Sequence, residues 1–158
     1  MDQLWAPWRV EYIQMESPAG CILCKKPRQN NDTANYILYR GAKNFIILNR
    51  YPYNPGHLMI APYQHTANLE ELTEEQLHEH FDIVSRSIMV LKQVLNPSGF
   101  NLGMNIGMVA GAGIADHIHT HIVPRWQGDT SFMTVISDMR VLPEALDETY
   151  KKLKDKFS

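Results

Sequence analysis

Residues 117–123 of the chain read HIHTHIV, with a histidine at every second position. Successive side chains of a β-strand point to opposite faces of the sheet, so we expect His117, His119 and His121 on one face, with neighbouring rings about 6 to 7 Å apart. Imidazoles in such a line can attack phosphorus or carbon, transfer protons near neutral pH, or bind a metal ion. The segment therefore predicts a strand whose histidines take part in catalysis or metal binding.

A glycine-rich segment precedes the histidines, and residues 107–113 read GMVAGAG. Backbone amides that are exposed in such a loop can bind anionic oxygens. An anion-binding loop beside possible nucleophiles favours phosphoryl or nucleotidyl transfer. Two alternatives stay open on these residues alone, namely a metal-binding face and a set of polar side chains on a solvent-facing edge strand.

The apolar pattern elsewhere predicts a sheet with one long helix inserted between its strands. The predicted strands are Tyr36 to Arg40, Asn44 to Leu48, His57 to Ala61, a half-buried strand from Phe100 to Ile106, and His117 to Val123. Strands early and late in the chain indicate an α+β domain built on an antiparallel sheet of about five strands. The length of 158 residues is typical of one domain.

The long helix is predicted to begin after Thr73, because Gln76 can complete a capping box with it, and to end at Asn96. Its apolar stripe comprises Leu77, Phe81, Val84, Ile88, Leu91 and Leu95. His78 and His80 fall outside this stripe. We therefore expect both histidines on the solvated face, without a function.

The two ends of the chain are predicted to differ. Residues 17–35 are rich in proline, glycine and polar side chains, which is typical of a loop. Pro143 suits the first turn of a C-terminal helix. The apolar face of that helix comprises Leu146, Tyr150, Leu153 and Phe157.

Composition excludes several classes of function. The net charge of -2 gives no excess of positive charge for a nucleic-acid backbone, so no nucleic-acid partner is expected. The longest apolar runs are far shorter than the roughly 20 residues that cross a bilayer, so no membrane association is expected. The first residues do not resemble a signal peptide, and a cytoplasmic location is the default expectation.

The only cysteines, Cys21 and Cys24, have CxxC spacing, which points to metal or redox chemistry before a structural disulfide. A thioredoxin-like redox role is disfavoured, because no helix is predicted to begin at Cys21 and lower its pKa. Two inert thiols are the remaining alternative.

Two separated motifs resemble the histidine triad (HIT) superfamily of nucleotide hydrolases and transferases. One is HIHTHIVPR at residues 117–125, and the other is FIILN at residues 45–49 followed by PGHLMIAP at residues 55–62. The resemblance extends from about Cys21 to Trp126. It implies a HIT-like fold, with residues 1–158 forming a single HIT domain whose N-terminal arm, residues 1–35, includes a zinc-binding loop. It also implies a homodimer whose two sheets join edge to edge.

Within the superfamily, LWAPWR at residues 4–9 and NPGHLM at residues 54–59 resemble most the bacterial diadenosine tetraphosphate phosphorylase branch. This branch splits a dinucleoside polyphosphate with inorganic phosphate in place of water. The resemblance implies that His119 is the nucleophile that attacks the α-phosphorus and holds the nucleotide covalently. His121 would then bind phosphate oxygens or the leaving group, and His57 would support the triad from the neighbouring strand.

The resemblance also implies the substrate contacts. Asn49 would hold the ribose hydroxyls, Phe45 would form an apolar wall for the base, and Asn105 would lie near the leaving group. The loop amides of Gly111, Ala112 and Gly113 would bind phosphate. Relatives often have serine or glutamine where this chain has Gly113, which puts the preference for the leaving group in doubt.

In many bacterial relatives a CxxC pair joins two histidines in a structural zinc site. By resemblance, the ligands here would be Cys21, Cys24, His65 and His117, a closed tetrahedral set suited to zinc. No organic cofactor is expected. The zinc would attach the N-terminal loop to the strand that carries the histidines.

These observations predict an enzyme that cleaves dinucleoside polyphosphates, with diadenosine tetraphosphate as the favoured substrate and phosphate or water as the acceptor. A nucleoside phosphoramidate hydrolase of the same superfamily is an alternative. A nucleotide-binding, zinc-containing interaction module without turnover is a third hypothesis, but binding alone requires no nucleophile.

Overall fold

The computed structural model describes residues 20–129 and 144–157. Its five strands are β1 (Ile37–Arg40), β2 (Asn44–Leu48), β3 (Leu58–Pro62), β4 (Gly99–Met104) and β5 (Thr120–Arg125). They form one antiparallel sheet in the order β1-β2-β3-β5-β4. The helices are α1 (Ile22–Arg28), α2 (Asp32–Asn35), α3 (Glu74–Leu95) and α4 (Leu146–Lys154), with short 3-10 turns at Leu69–Glu71 and Met108–Ala110. The predicted α+β fold, with a long helix and a C-terminal helix, is confirmed.

Helix α3 covers one face of the sheet and begins with the predicted capping box. The Thr73 hydroxyl accepts a hydrogen bond from the Gln76 amide at 3.3 Å, and the Gln76 side chain accepts one from the Thr73 amide at 2.7 Å. The helix ends at Asn96, whose backbone is left-handed. Side chains from α3, α4 and the sheet form the main core, which includes Ile46, Ile60, Leu91, Ile122, Tyr150, Leu153 and Phe157.

The face of α3 that meets the sheet differs from the predicted stripe. Phe81 is 54% exposed, whereas His80 is only 1% exposed, so the expectation of a solvated His80 is wrong. His78 is exposed, as expected. The buried face of α3 runs through Gln76, His80, Ile83, Val84, Ser87, Val90 and Leu91. A polar residue is tolerated there because Asn44 and Thr120 give both nitrogens of His80 a hydrogen-bond partner.

Helix α1 covers the other face of the sheet, over a second core cluster that contains Leu23, Ile37, Phe45, Ile47, Met59 and Ala61. The predicted loop at residues 17–35 is therefore wrong over its described part, which is mostly helical. Burial of Leu23 and Pro27 stabilises a helix that composition alone disfavours. The prediction that no helix begins at Cys21 is also wrong, since Cys21 is the N-cap of α1. Burial nevertheless raises the pKa of the Cys21 thiol, which does not favour a reactive redox thiol.

Two strand predictions require correction. The strand β5 begins at Thr120 instead of His117, because the Ile118 amide donates to the Thr66 carbonyl and not to a neighbouring strand. The strand β4 lies at the edge of the sheet, and Leu102 on it is 47% exposed instead of half-buried. Ile106 lies beyond the end of β4 and is 51% exposed.

Within residues 20–129 and 144–157, no helix has the length and apolar character needed to span a membrane. The first part of the N-terminal arm and Pro143 lie outside the described residues. The single domain over residues 1–158 stays a prediction.

Candidate active site and metal-binding cluster

Three histidine rings meet where β3 and β5 pair. His121 lies opposite Met59 in the β3–β5 register, and His57 immediately precedes β3. The turn before His57 packs against α3 at Gly56, where an added Cβ would come within 2.4 Å of a Leu95 methyl group. The backbone at Gly56 also has a φ of +77°, a conformation that glycine adopts without strain.

A chain of hydrogen bonds fixes the protons of His57 and His121. The Tyr53 amide donates to His57 Nδ1 at 3.1 Å, so a neutral His57 carries its proton on Nε2. His57 Nε2 lies 2.9 Å from His121 Nδ1 and donates to it. A neutral His121 therefore carries its proton on Nε2, which can donate to a ligand.

His119 has the complementary arrangement. Its Nδ1 lies 2.8 Å from the His117 carbonyl oxygen, which can only accept, so Nδ1 carries the proton and Nε2 keeps its lone pair. The rings of His119 and His121 are 4.7 Å apart between centroids. A ring with an unprotonated nitrogen thus lies next to a ring with an N–H donor.

Burial keeps both rings neutral. It lowers the pKa of His119, although the bond to the His117 carbonyl opposes this effect. Burial, with a smaller contribution from His119, lowers the pKa of His121 to about 4. Near pH 7, His119 can therefore act as a nucleophile and His121 as a neutral hydrogen-bond donor.

A cleft of about 340 Å³ opens beside His121. It is lined by Tyr53, Asn101, Leu102, Gly103, Asn105, Ala110, His121 and Val123. Asn105 and Ala110 of the glycine-rich segment thus line the same cleft as His121. Asn105 Nδ2 donates to the Gly111 carbonyl at 3.4 Å, which links the end of β4 to that loop.

The other predicted substrate contacts lie around this centre with different degrees of exposure. Phe45 is fully buried and stacks on Tyr63, whose ring lies 5.3 Å away between centroids and is partly exposed. Asn49 accepts a hydrogen bond from the Tyr51 amide at 2.9 Å through its side-chain oxygen. Ala112 is half-buried and Gly113 is exposed, while Gly111 has a φ of +85°. The roles of these residues stay predictions.

The four predicted metal ligands form a separate cluster. One ligand atom from each of Cys21, Cys24, His65 and His117 lies within 4.8 Å of the other three. The Sγ of Cys24 lies 3.3 Å from His65 Nδ1 and 3.4 Å from His117 Nδ1, and the two Nδ1 atoms are 3.3 Å apart. A tetrahedral ion with two sulfur and two nitrogen ligands separates its ligand atoms by about 3.3 to 3.8 Å. The cluster can therefore hold a metal ion.

The far side of each imidazole supports the same conclusion. His117 Nε2 donates to the Pro62 carbonyl at 2.8 Å, which leaves the Nδ1 lone pair directed at the sulfurs. His65 Nε2 lies 3.7 Å from an Asp116 carboxylate oxygen, which favours the same tautomer. Metal-binding histidines usually donate their second N–H to such an acceptor.

Sequence reasoning missed the residues that orient the histidines. Tyr53 fixes the tautomer of His57 through its backbone amide. Because almost every residue has such an amide, the sequence does not show which one donates to His57. Asp116 is adjacent to His117 in sequence, and a carboxylate next to a predicted ligand was a usable signal.

Comparison with known proteins agrees with this geometry. The family described as HIT domain matches residues 30–128, which is more than half of the chain. The chain belongs to the HIT family. It is 37% identical over 161 residues to a protein of Mycobacterium tuberculosis named AP-4-A phosphorylase, covering 97% of this chain and 83% of that protein. It is also 30% identical over 115 residues to the adenosine 5'-monophosphoramidase of Candida albicans, covering 70% of this chain and 74% of that protein.

Among solved structures, the HIT chain is similar to a zinc-bound histidine triad family protein from Mycobacterium smegmatis. The TM-score is 0.69 at 26% sequence identity, and the match covers 87% of this chain and 93% of that chain. The similarity agrees with the five-stranded sheet and the two main helices described above. The predicted membership of the histidine triad superfamily is confirmed.

Proposed function

We propose that this HIT protein transfers a nucleoside monophosphate from a dinucleoside polyphosphate to phosphate or water, through a nucleotide bound covalently to His119. Diadenosine tetraphosphate is the favoured substrate. The observation that carries the proposal is the pairing of an unprotonated Nε2 on His119 with an N–H donor on His121, 4.7 Å away between ring centroids. Such a pair matches a nucleophile and the oxygen on which negative charge develops.

In the first step, His119 Nε2 forms a bond to the α-phosphorus, and the bond from phosphorus to the bridging oxygen breaks. The positive charge that develops on the ring is stabilised by the hydrogen bond from Nδ1 to the His117 carbonyl. His121 donates its Nε2 proton as a hydrogen bond to an anionic oxygen. In the second step, phosphate or water attacks the same phosphorus and restores the free imidazole.

The protonation of His121 favours a polyphosphate leaving group over an amine. A nucleoside polyphosphate departs as a stable anion, whereas the amine of a phosphoramidate must gain a proton. Burial lowers the pKa of His121 to about 4, so this ring is a hydrogen-bond donor and not a cationic acid near pH 7. The 37% identity to the AP-4-A phosphorylase supports the same substrate class.

The remaining contacts of the substrate follow from the resemblance. Asn49 holds the ribose, Phe45 supports the base from within the core, and Asn105 lies at the leaving group. The amides of residues 111–113 bind phosphate oxygens. The cleft beside His121 supports the position of Asn105, because both residues line it.

The metal in this proposal is a structural zinc ion held by Cys21, Cys24, His65 and His117. Two thiolates and two imidazoles are the donor set that zinc prefers, and the second nitrogen of His117 is already hydrogen-bonded to the Pro62 carbonyl. When bound, the ion supplies only a cross-link between α1 and the segment before β5.

The test is a comparison of substrates. We expect the purified protein to cleave diadenosine tetraphosphate, and cleavage that requires added phosphate would identify phosphorolysis. His119→Asn is expected to lower kcat at least about a thousandfold, whereas His78→Asn, an exposed control on α3, leaves kcat unchanged. Turnover of adenosine phosphoramidate but not of any dinucleotide would contradict the proposed substrate class. Unchanged turnover in His119→Asn would contradict the mechanism.

A further inference from the structure

A chain of hydrogen bonds crosses the interface between α3 and the sheet, away from the active-site face, and its inner part, from Asn44 to Thr120, is buried. It begins at Glu79, whose carboxylate accepts from the amides of Ala42 and Lys43 at 2.7 Å each. The fully buried Asn44 donates through Nδ2 to Glu79 at 2.9 Å and to the Gln76 carbonyl at 3.1 Å. Both amide protons of Asn44 are thereby used. Its Oδ1 is directed at His80.

The orientation of Asn44 fixes the proton of His80. Asn44 Oδ1 can only accept, so His80 Nδ1, at 2.8 Å, carries the proton. Burial lowers the pKa of His80 to about 4, which keeps the ring neutral near pH 7. Its Nε2 must then accept the hydroxyl proton of Thr120, whose oxygen lies 2.7 Å away. Each member of the chain has a defined donor and acceptor.

Thr120 is the point where β5 enters the sheet. Its Cα pairs with Ile60 of β3 and with Met104 of β4, and both ladders end at these pairs. His119 is the next residue toward the N-terminus and lies outside both ladders. Because side chains alternate along a strand, Thr120 faces α3 while His119 and His121 face the other side. The hydroxyl bond to His80 therefore anchors the strand at the residue between two active-site histidines.

We propose that His80 is a positioning residue, which acts through Thr120 to hold His119 and His121 in the orientation needed for nucleotidyl transfer. The expected effect of His80 on the rate of nucleotidyl transfer rests on the proposed function. The expected effect of His80 on the orientation of His119 and His121 rests on the hydrogen-bond geometry alone. His80 touches no substrate and exchanges no proton with it.

Two substitutions of His80 distinguish its hydrogen bond to Thr120 from its hydrogen bond to Asn44. In His80→Gln, the terminal amide reaches the position of Nε2, and its oxygen can still accept from Thr120. In His80→Asn, the terminal amide lies near the position of Nδ1 and can bond only to Asn44. We expect His80→Asn and Thr120→Val to lower kcat roughly ten- to hundredfold, with KM for diadenosine tetraphosphate changed less than about twofold. We expect His80→Gln to stay within about threefold of the wild-type kcat.

Ser87 provides a matched control on the same buried face of α3. Its hydroxyl has no hydrogen-bond partner among the described residues, so Ser87→Ala removes a buried polar atom without breaking this chain. We expect Ser87→Ala to leave kcat unchanged. Equal losses of kcat in His80→Gln and His80→Asn, or an unchanged kcat in Thr120→Val, would overturn the inference.

A second readout is independent of turnover. Long-range proton–nitrogen NMR spectra report which nitrogen of each imidazole carries the proton. We expect His119 to be protonated on Nδ1 in the wild type, His80→Gln and Ser87→Ala, and to become a mixture of tautomers in Thr120→Val. If no dinucleotide is cleaved by the wild type, the proposed function fails, and the tautomer of His119 still decides the inference. An unchanged tautomer in Thr120→Val would overturn it.

Discussion

Backbone groups assign the protons of two of the three active-site histidines, and His57 then assigns the proton of His121 through its own ring. The Tyr53 amide sets the tautomer of His57, and the His117 carbonyl sets that of His119. Backbone groups do not titrate near neutral pH, so these assignments hold over the range in which the rings stay neutral. The main chain therefore orients His57 and His119 directly, and it orients His121 through His57.

His57 is expected to act by holding His121. His57→Gln keeps an N–H near the position of Nε2 and should retain most of the activity, while His57→Leu should lower kcat about ten- to hundredfold, as is usual when an orienting partner is lost. Steady-state kinetics on diadenosine tetraphosphate would measure this. Similar rates in the two variants would show that the hydrogen bond to His121 does not matter.

The buried His80 should also make stability depend on pH. Its pKa is about 4 in the folded protein, compared with about 6.5 in an unfolded chain. Between these values the unfolded chain binds the additional proton, so the free energy of unfolding falls as pH is lowered, by about 2 kcal/mol at pH 5 relative to pH 7. Above about pH 7.5 neither state binds this proton, and the contribution is constant.

Urea unfolding of the wild type and His80→Gln at pH 7 and pH 5 tests this prediction. The other histidines contribute equally to both proteins. The difference between the two proteins in the free energy of unfolding lost from pH 7 to pH 5 therefore reports on His80 alone. We expect the wild type to lose about 2 kcal/mol more than the variant. Identical losses would mean that His80 is protonated in the folded protein without cost.

The importance of His80 was not predictable from the pattern of α3. The helical stripe that contains the most apolar residues includes Phe81 and excludes the adjacent His80. The structure reverses this choice, because Asn44 and Thr120 lie on the facing strands and are 36 and 40 residues away from His80 in sequence. A buried polar residue depends on such distant partners, which local periodicity does not contain.

At the scale of elements, the metal-binding cluster joins α1 to the loop after β3 and to the segment before β5. Cys21 and Cys24 come from the start of α1, whereas His65 and His117 come from the other two segments. Leu23 of α1 is buried in one apolar cluster with Ile37, Phe45 and Met59 of the sheet, and Asn35 of α2 donates to the Lys26 carbonyl of α1 at 3.5 Å. A cross-link at this point should therefore stabilise the whole N-terminal face.

Removal of the metal is expected to destabilise the folded chain. Protein with zinc at a hundred times its dissociation constant should be about 3 kcal/mol more stable than protein stripped by a chelator. Metal analysis should give one zinc per chain in the wild type and none in Cys24→Ala. Magnesium is the control, because a hard cation is a poor match for thiolates and should not restore stability. Equal stability of the stripped and loaded proteins would contradict a structural role.

Strands and helices differ in how well the sequence predicts them. The strands β1, β2 and β3 follow short apolar runs, and the capping box of α3 is local, so all of these were predicted close to their bounds. Helix α1 was not predicted, because it contains Pro27 and is stabilised by burial of Leu23 against distant strands. The start of β5 depends on the long-range bond from Ile118 to Thr66, which spacing does not show.

At the scale of the whole molecule, the sheet has an edge at β4. Leu102 on this strand is 47% exposed, and Ile106, Met108 and Val109 beyond it are more exposed still. A row of unpaired backbone groups with apolar side chains is a typical surface for pairing with another chain. The edge agrees with the proposed homodimer, in which two sheets join.

We expect the wild type to be a dimer by light scattering and Leu102→Glu to be largely monomeric, because a charge at the edge opposes pairing. Met89→Glu is a suitable control, since Met89 is an exposed apolar residue on α3, away from the edge. A monomeric wild type, or a Leu102→Glu variant that stays dimeric, would contradict dimerisation through β4.

The family and the grouping of histidines could be predicted because the relevant residues are close in sequence within each motif. The spacing of the three alternating histidines did not show which of them faces the cysteines and which face each other. His117 turns toward the cysteines, while His119 and His121 face each other. At His117 the chain is bound elsewhere, because the Ile118 amide donates to the Thr66 carbonyl, and His117 Nε2 is bonded to the Pro62 carbonyl.

In the proposed mechanism, His119 carries the nucleotide between the two steps. Rapid mixing of the protein with diadenosine tetraphosphate in the absence of phosphate, followed by an alkaline quench and mass spectrometry, tests it most directly. We expect protein that has gained one nucleoside monophosphate, attached to the peptide that contains His119, and no such product in His119→Asn. Consumption of the dinucleotide without any modified protein, or a nucleotide attached to another residue, would contradict it.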